Sequence, residues 1–188
     1  EHPYPAALED AQKAYDLLRE EYGTVVVAGD SAGGGLSLSL ALSLKKAGKA
    51  LPEALVLFSP WSDLTLSGAS MQTHAARDPM LTKDWLAQMA AHYLNGYAAR
   101  DPLVSPLLGE LRGLPPMLIQ VGTEEVLLDD AKRLQEAARA AGVEVVYQEE
   151  KGLWHVWQAL GDLVPEAAKS VTEAGDFLQN VLRRTPRT

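Results

Sequence analysis

The chain contains no cysteine, only two phenylalanines and four histidines, and no long basic run. Without cysteine there is no disulfide framework, no thiol nucleophile and no thiolate metal site, which fits a reducing compartment; a cytoplasmic location is the expectation. No stretch of about 18 or more uninterrupted apolar residues occurs, so no segment is expected to span a membrane. A formal net charge of −8 makes nucleic acid and anionic membrane surfaces poor partners. Two phosphate-binding patterns are missing as well. A Walker-type loop would need a lysine after its last glycine, whereas the corresponding positions after Gly29 are Gly34, Gly35 and Leu36. The dinucleotide spacing Gly-x-Gly-x-x-Gly is also absent.

What is present is organised around Gly29-Asp30-Ser31-Ala32-Gly33-Gly34-Gly35. A Gly-x-Ser-x-Gly pattern after an apolar run and before a long Leu/Ser-rich segment predicts a strand, a sharp turn carrying the serine, and a helix. Flanking glycines are expected there because side chains would collide with the neighbouring backbone. The helix N-terminus would aim its N–H groups at Ser31, where they stabilise developing negative charge.

Around this turn, 188 residues with 47% hydrophobic content suffice for one globular domain with a sizeable core. Leu8, Ala11, Tyr15 and Leu18 predict a helix over 6–21, after an arm that two prolines bias toward extended backbone. Strands are predicted at 24–28, 55–58, 117–121 and 143–148, the first without alternation, as in a parallel strand covered on both faces. Helices are predicted at 129–141, from 165 to about 182, and at 33–47, where Leu36, Leu38, Leu40, Leu42 and Leu44 alternate as in a strand but the length, the leucines and the Lys45, Lys46 and Gly48 end favour helix. Regular alternation of strand and helix points to an α/β fold, with a parallel sheet, helices on both faces, right-handed crossovers and the site at the carboxyl ends of the strands. Residues 64–108 interrupt it with a loop, a helix opened by Thr82 and a Pro/Gly-punctuated return. This segment reads either as a lid over a site or as an ordinary crossover helix.

A serine hydroxyl is a weak nucleophile and needs an imidazole to take its proton, with a carboxylate to orient that imidazole. Of the four histidines, His2 lies in the arm, and His74 and His92 in the 64–108 segment. His155 alone sits on a loop after a core strand. The acid should come from the loop after the third strand, where Glu124, Glu125, Asp129 and Asp130 compete; spacing does not choose among them. Asp129 and Asp130 also read as N-terminal caps of the following helix.

Taken together, Glu1-His2-Pro3-Tyr4-Pro5-Ala6-Ala7, Gly29-Asp30-Ser31-Ala32-Gly33-Gly34, Ser59-Pro60-Trp61-Ser62-Asp63-Leu64, Gly113-Leu114-Pro115-Pro116 and His155-Val156 resemble the hormone-sensitive-lipase-like carboxylesterases of the α/β-hydrolase superfamily. The resemblance runs along the whole chain. It implies an α/β-hydrolase fold with a partial parallel sheet and a lid insertion, Ser31 as nucleophile, His155 as base, Glu125 as acid and the Ala32 N–H as an oxyanion donor. Trp85, Leu86, Met89, Tyr93 and Val156 become candidates for the substrate pocket, although core packing explains the helical stripe equally well. No metal or organic cofactor is expected. The partner would be a small-molecule ester of short to medium acyl chain. The same triad would also serve an amidase or thioesterase, and a hydrolase-like receptor without turnover is the non-enzymatic alternative. Members of that family carry an upstream cap segment and a His-Gly-Gly-Gly loop that are not found here. The expectation is therefore a C-terminal portion of an enzyme, weakly active or inactive alone, which needs its N-terminal segment or a homo-oligomer partner.

Overall fold

The computed structural model describes residues 2–184. Four strands, β1 (Val27–Asp30), β2 (Leu55–Phe58), β3 (Met117–Gly122) and β4 (Val145–Glu150), form one parallel sheet in the order β1-β2-β3-β4. Between and around them lie the helices α1 (Ala6–Tyr22), α2 (Ala32–Lys46), α3 (Ser70–Thr73), α4 (Lys83–Leu94), α5 (Leu128–Ala140) and α6 (Pro165–Arg184). Short 3-10 segments cover Pro106–Leu108 and Trp157–Leu163.

The sheet is covered on both faces, and side-chain alternation divides its strands between two clusters. Leu55, Leu57, Met117, Ile119 and Val121 point to a core shared with Leu38, Ala41 and Leu42 of α2 and with Ala131, Leu134 and Ala138 of α5. Val56 and Leu118 point the other way, onto Ala174, Phe177 and Val181 of α6. Leu8 and Tyr15 of α1 pack beside Leu40 and Leu44 of α2.

Two strands start later than expected. Val25 is engaged elsewhere: its N–H donates to Glu53 Oε2 at 2.8 Å and its carbonyl accepts from Glu53 N–H. The ladder opens only where Val27 pairs with Leu55. Among the described residues β1 lies at one end of the sheet, and its residues alternate between half-buried and exposed rather than being covered on both faces. At β4, Val143 N–H donates to Ala138 O and so belongs to the end of α5, leaving Val145 to pair first with Met117. The Leu/Ser alternation after Ser31 is a helix, nine of whose fifteen residues are buried, so both its leucines and its small residues face packed structure. The N-terminal arm is not simply extended. It turns at Tyr4-Pro5, with Tyr4 N–H donating to Tyr93 O of α4 and the Tyr4 ring 4.6 Å from that of Tyr97.

Candidate active site

The three candidate triad residues lie beyond the carboxyl ends of parallel strands, Ser31 after β1, Glu125 after β3 and His155 after β4, with Ser59 after β2 between them. Ser31 adopts φ 52°, ψ −120°, a backbone that non-glycine residues rarely take and that tends to occur at functional turns. It precedes α2 without spending its side chain on a capping hydrogen bond. The turn is fixed through its backbone, Ser31 N–H donating to Phe58 O and Ser31 O accepting from Trp61 N–H, each at 2.9 Å. Close approach explains Gly29, where an added Cβ would stand 2.3 Å from Gly33 O, and Gly35, where it would stand 2.2 Å from Trp61 O. Gly33 is different from what the motif suggested, since no atom lies within 4 Å of a Cβ added there.

Glu125 and His155 meet directly. His155 Nδ1 lies 2.8 Å from Glu125 Oε2, with the carboxylate fully buried and the imidazole 5% exposed. A carboxylate only accepts, so the proton belongs on Nδ1 and Nε2 is left as the basic nitrogen. The other carboxylate oxygen, Oε1, accepts from Gly122 N–H at 2.7 Å and from Ser59 Oγ at 2.8 Å. Parallel strands are spaced by about 4.8 Å, so a loop leaving β4 must cross strand ends to approach β1. The 151–156 loop does so. Glu124 N–H donates to Leu153 O and Val156 N–H to Ser59 Oγ, carrying the loop over β3 toward β2. Gly122 makes the crossing possible, because a Cβ there would stand 2.2 Å from Leu153 O.

The capping role expected of Asp129 and Asp130 is not what they do. The N-cap of α5 is Leu127, and both carboxylates turn away from the helix to hold the chain after β2. Asp130 Oδ2 accepts from Ser62 N–H and Asp63 N–H, each at 2.9 Å, and Asp129 Oδ2 accepts from Ser70 N–H at the same distance. Burial pushes the Asp130 carboxyl up to about 7; donation from Ser62 opposes this, while the neighbouring Asp63 charge adds to it. Burial also works against the charge on Asp63, yet donors on Ser67, Thr65 and Arg133 outweigh it and hold that carboxyl below its ordinary value. Glu124, the fourth acid in the loop, pairs on the surface with Arg77.

A cavity of about 430 Å³ opens beside the serine, lined by Ser31, Ala32, Gly35, Leu36 and Trp61 and roofed by Trp85, Leu86, Met89 and Tyr93 of α4. Thr82 caps that helix, its Oγ1 accepting from Trp85 N–H. Leu86 is also core, buried to 1% against Leu81, Ala90 and Leu94. Val156 lies outside this lining and serves the loop through its N–H. Among the described residues, no group of three or more His, Asp or Glu side chains is placed to hold a metal ion, and no helix is long and apolar enough to cross a membrane. Sequence reasoning missed Ser59 and Asp130 as organisers of the site. Ser59 stands in a recognised block, but its contacts with segments 66 and 97 residues away leave no local signal.

Comparison with known proteins bears on the family and the fold. The family profile described as alpha/beta hydrolase fold matches residues 1–159. An acetyl-hydrolase of Streptomyces hygroscopicus is 47% identical over 182 residues, covering 95% of this chain and 61% of that protein. An esterase of Acinetobacter venetianus is 38% identical, with 94% and 60% covered. Among solved structures, EstE5 superposes with TM-score 0.93 at 39% identity, covering 96% of this chain and 62% of that one. An esterase from the bacterial hormone-sensitive lipase family superposes with TM-score 0.92 at 40% identity, covering 95% and 61%. The chain thus spans about 60% of the length of the curated relatives it matches. By profile, sequence identity and superposition, it belongs to the α/β-hydrolase family, in the hormone-sensitive-lipase-like branch.

Proposed function

We propose that this chain supplies the nucleophile, base and acid of a serine carboxylesterase acting on short to medium acyl esters. The observation that carries the assignment is the buried Glu125–His155 hydrogen bond, at the same sheet edge as a serine held at φ 52° beside an apolar cavity. Ser31 Oγ attacks the ester carbonyl carbon and passes its proton to His155 Nε2. Glu125, bonded to Nδ1, holds the ring and stabilises its charged form. The oxyanion lies at the N-terminus of α2, where the Ala32 N–H donates to it. Collapse expels the alcohol, which takes the proton from His155, and water repeats the sequence on the acyl-enzyme.

The acyl chain occupies the cavity under α4, which makes the 64–108 segment a lid in function. One solved relative, EstE5, was soaked with p-nitrophenyl butyrate, a four-carbon acyl ester that suits a cavity of this size. A series of p-nitrophenyl esters from two to twelve acyl carbons, given to the protein carrying this chain, tests both statements. Hydrolysis should peak at short or medium chains, and Met89→Trp should move the optimum to shorter ones while sparing acetate. An optimum unmoved by Met89→Trp would take the acyl chain out of this cavity.

A further inference from the structure

Three non-glycine residues with left-handed backbone gather at the strand ends: Ser31 at φ 52°, Ser59 at φ 45° and Val156 at φ 53°. Such backbone is costly for serine and more so for a β-branched valine, so surrounding bonds must over-determine it. Here the three are tied to one another. Ser31 N–H is bonded to Phe58 O, the peptide that precedes Ser59, and Val156 N–H donates to Ser59 Oγ at 3.2 Å. Ser59 is completely buried, and its own N–H donates to Gln120 O of the central strand β3.

The Ser59 hydroxyl faces two groups at once. Its proton goes to Glu125 Oε1 at 2.8 Å, and its oxygen accepts the N–H of the residue next to His155. Glutamate needs such help. Its terminal torsion is broad and roughly two-fold, so the rotamer alone does not fix the plane of the carboxylate. Two donors on Oε1, Ser59 Oγ and Gly122 N–H, set that plane and leave Oε2 facing His155 Nδ1. Glycine would adopt φ 45° at less cost than serine, but it would lose the hydroxyl.

We propose that Ser59 is a positioning residue of the acid–base pair, its hydroxyl fixing the Glu125 carboxylate and the His155 backbone relative to each other. The role rests on the esterase reading above, because it acts on the rate only through Glu125 and His155.

A double-mutant cycle on the protein carrying this chain tests it, with p-nitrophenyl butyrate as substrate. Ser59→Ala and Ser59→Gly are each combined with Glu125→Gln; the glycine variant keeps the turn free of strain, so the fold survives the loss of the hydroxyl. Each single Ser59 variant should lower kcat about 10- to 100-fold at nearly unchanged KM, by analogy with the loss of a hydrogen bond that orients a metal-site ligand. In the Glu125→Gln background the same changes should cost clearly less. The low-field Nδ1 proton resonance of His155 should also move or broaden in both Ser59 variants. Equal losses in the two backgrounds, or an unmoved resonance, would overturn the role. Full kcat in the Ser59 variants beside a crippled Glu125→Gln overturns Ser59 alone. Full kcat in Glu125→Gln overturns the triad and Ser59 with it.

Discussion

Glu125, fully buried, accepts three hydrogen bonds, whereas Asp129 and Asp130, four and five residues on, act as tethers for the chain after β2. The difference predicts unequal mutants. Glu125→Gln should lower kcat by about 10⁴-fold, the loss seen for the equivalent amide exchange in a serine-protease triad, because an amide does not stabilise the imidazolium. Asp129→Asn should leave kcat near wild type, since an amide oxygen still accepts the Ser70 N–H. Steady-state hydrolysis of p-nitrophenyl butyrate separates the two, and comparable losses would reassign the acid. Asp130 yields a pH prediction. Its folded carboxyl, near 7, lies above the ordinary value of 3.8, so the native state holds this proton more tightly than the unfolded chain does. Its contribution is therefore most favourable at low pH, declines as pH rises from about 4 to about 7, and is level above that. Asp130→Asn should remove this slope, so urea unfolding at pH 5 and pH 8 should show the wild type losing stability relative to the variant on going to the higher pH. A constant difference between the two proteins would contradict it. At this scale the positions of the proposed nucleophile and base were legible in the sequence, because a turn motif and a loop histidine carry local signals. The acid needed a family likeness. The tethering carboxylates were mistaken for caps because only the tertiary fold shows where a side chain near a helix start finds its donors.

Apolar runs and patterning located each described strand and most of the longer helices, α2 needing its length, leucine content and Lys/Gly end because its alternation mimics a strand, and tertiary hydrogen bonds then moved the boundaries. β1 and β4 begin late because Val25 and Val143 are committed to Glu53 and to the end of α5. The Thr82 start of α4 was legible because capping is a local transaction between Thr82 Oγ1 and Trp85 N–H. The route of the 151–156 loop was not legible, since it depends on Gly122 in another strand. Gly122→Ala would drive a methyl group against the Leu153 carbonyl, and both partners are backbone, so the loop itself must shift. A cost of about 1–3 kcal/mol is expected, the range for overpacking a well-filled site. Displacement of His155 should also cut kcat. Chemical denaturation and ester hydrolysis measure the two effects. Wild-type behaviour in both would show that the crossing tolerates a side chain.

Over the whole molecule, a parallel sheet between α2 and α5 on one face and α6 on the other brings the ends of four strands into one line. That arrangement places a strained serine, an apolar cavity and a buried Glu–His pair at one edge although they lie up to 124 positions apart, from Ser31 to His155. The most direct measurement of the central claim is covalent labelling of the protein carrying this chain with a fluorophosphonate, followed by peptide mass spectrometry. A single adduct should appear on Ser31, vanish in Ser31→Ala and form much more slowly in Glu125→Gln and His155→Ala. An adduct on another serine, or ester hydrolysis that persists in Ser31→Ala, would contradict it.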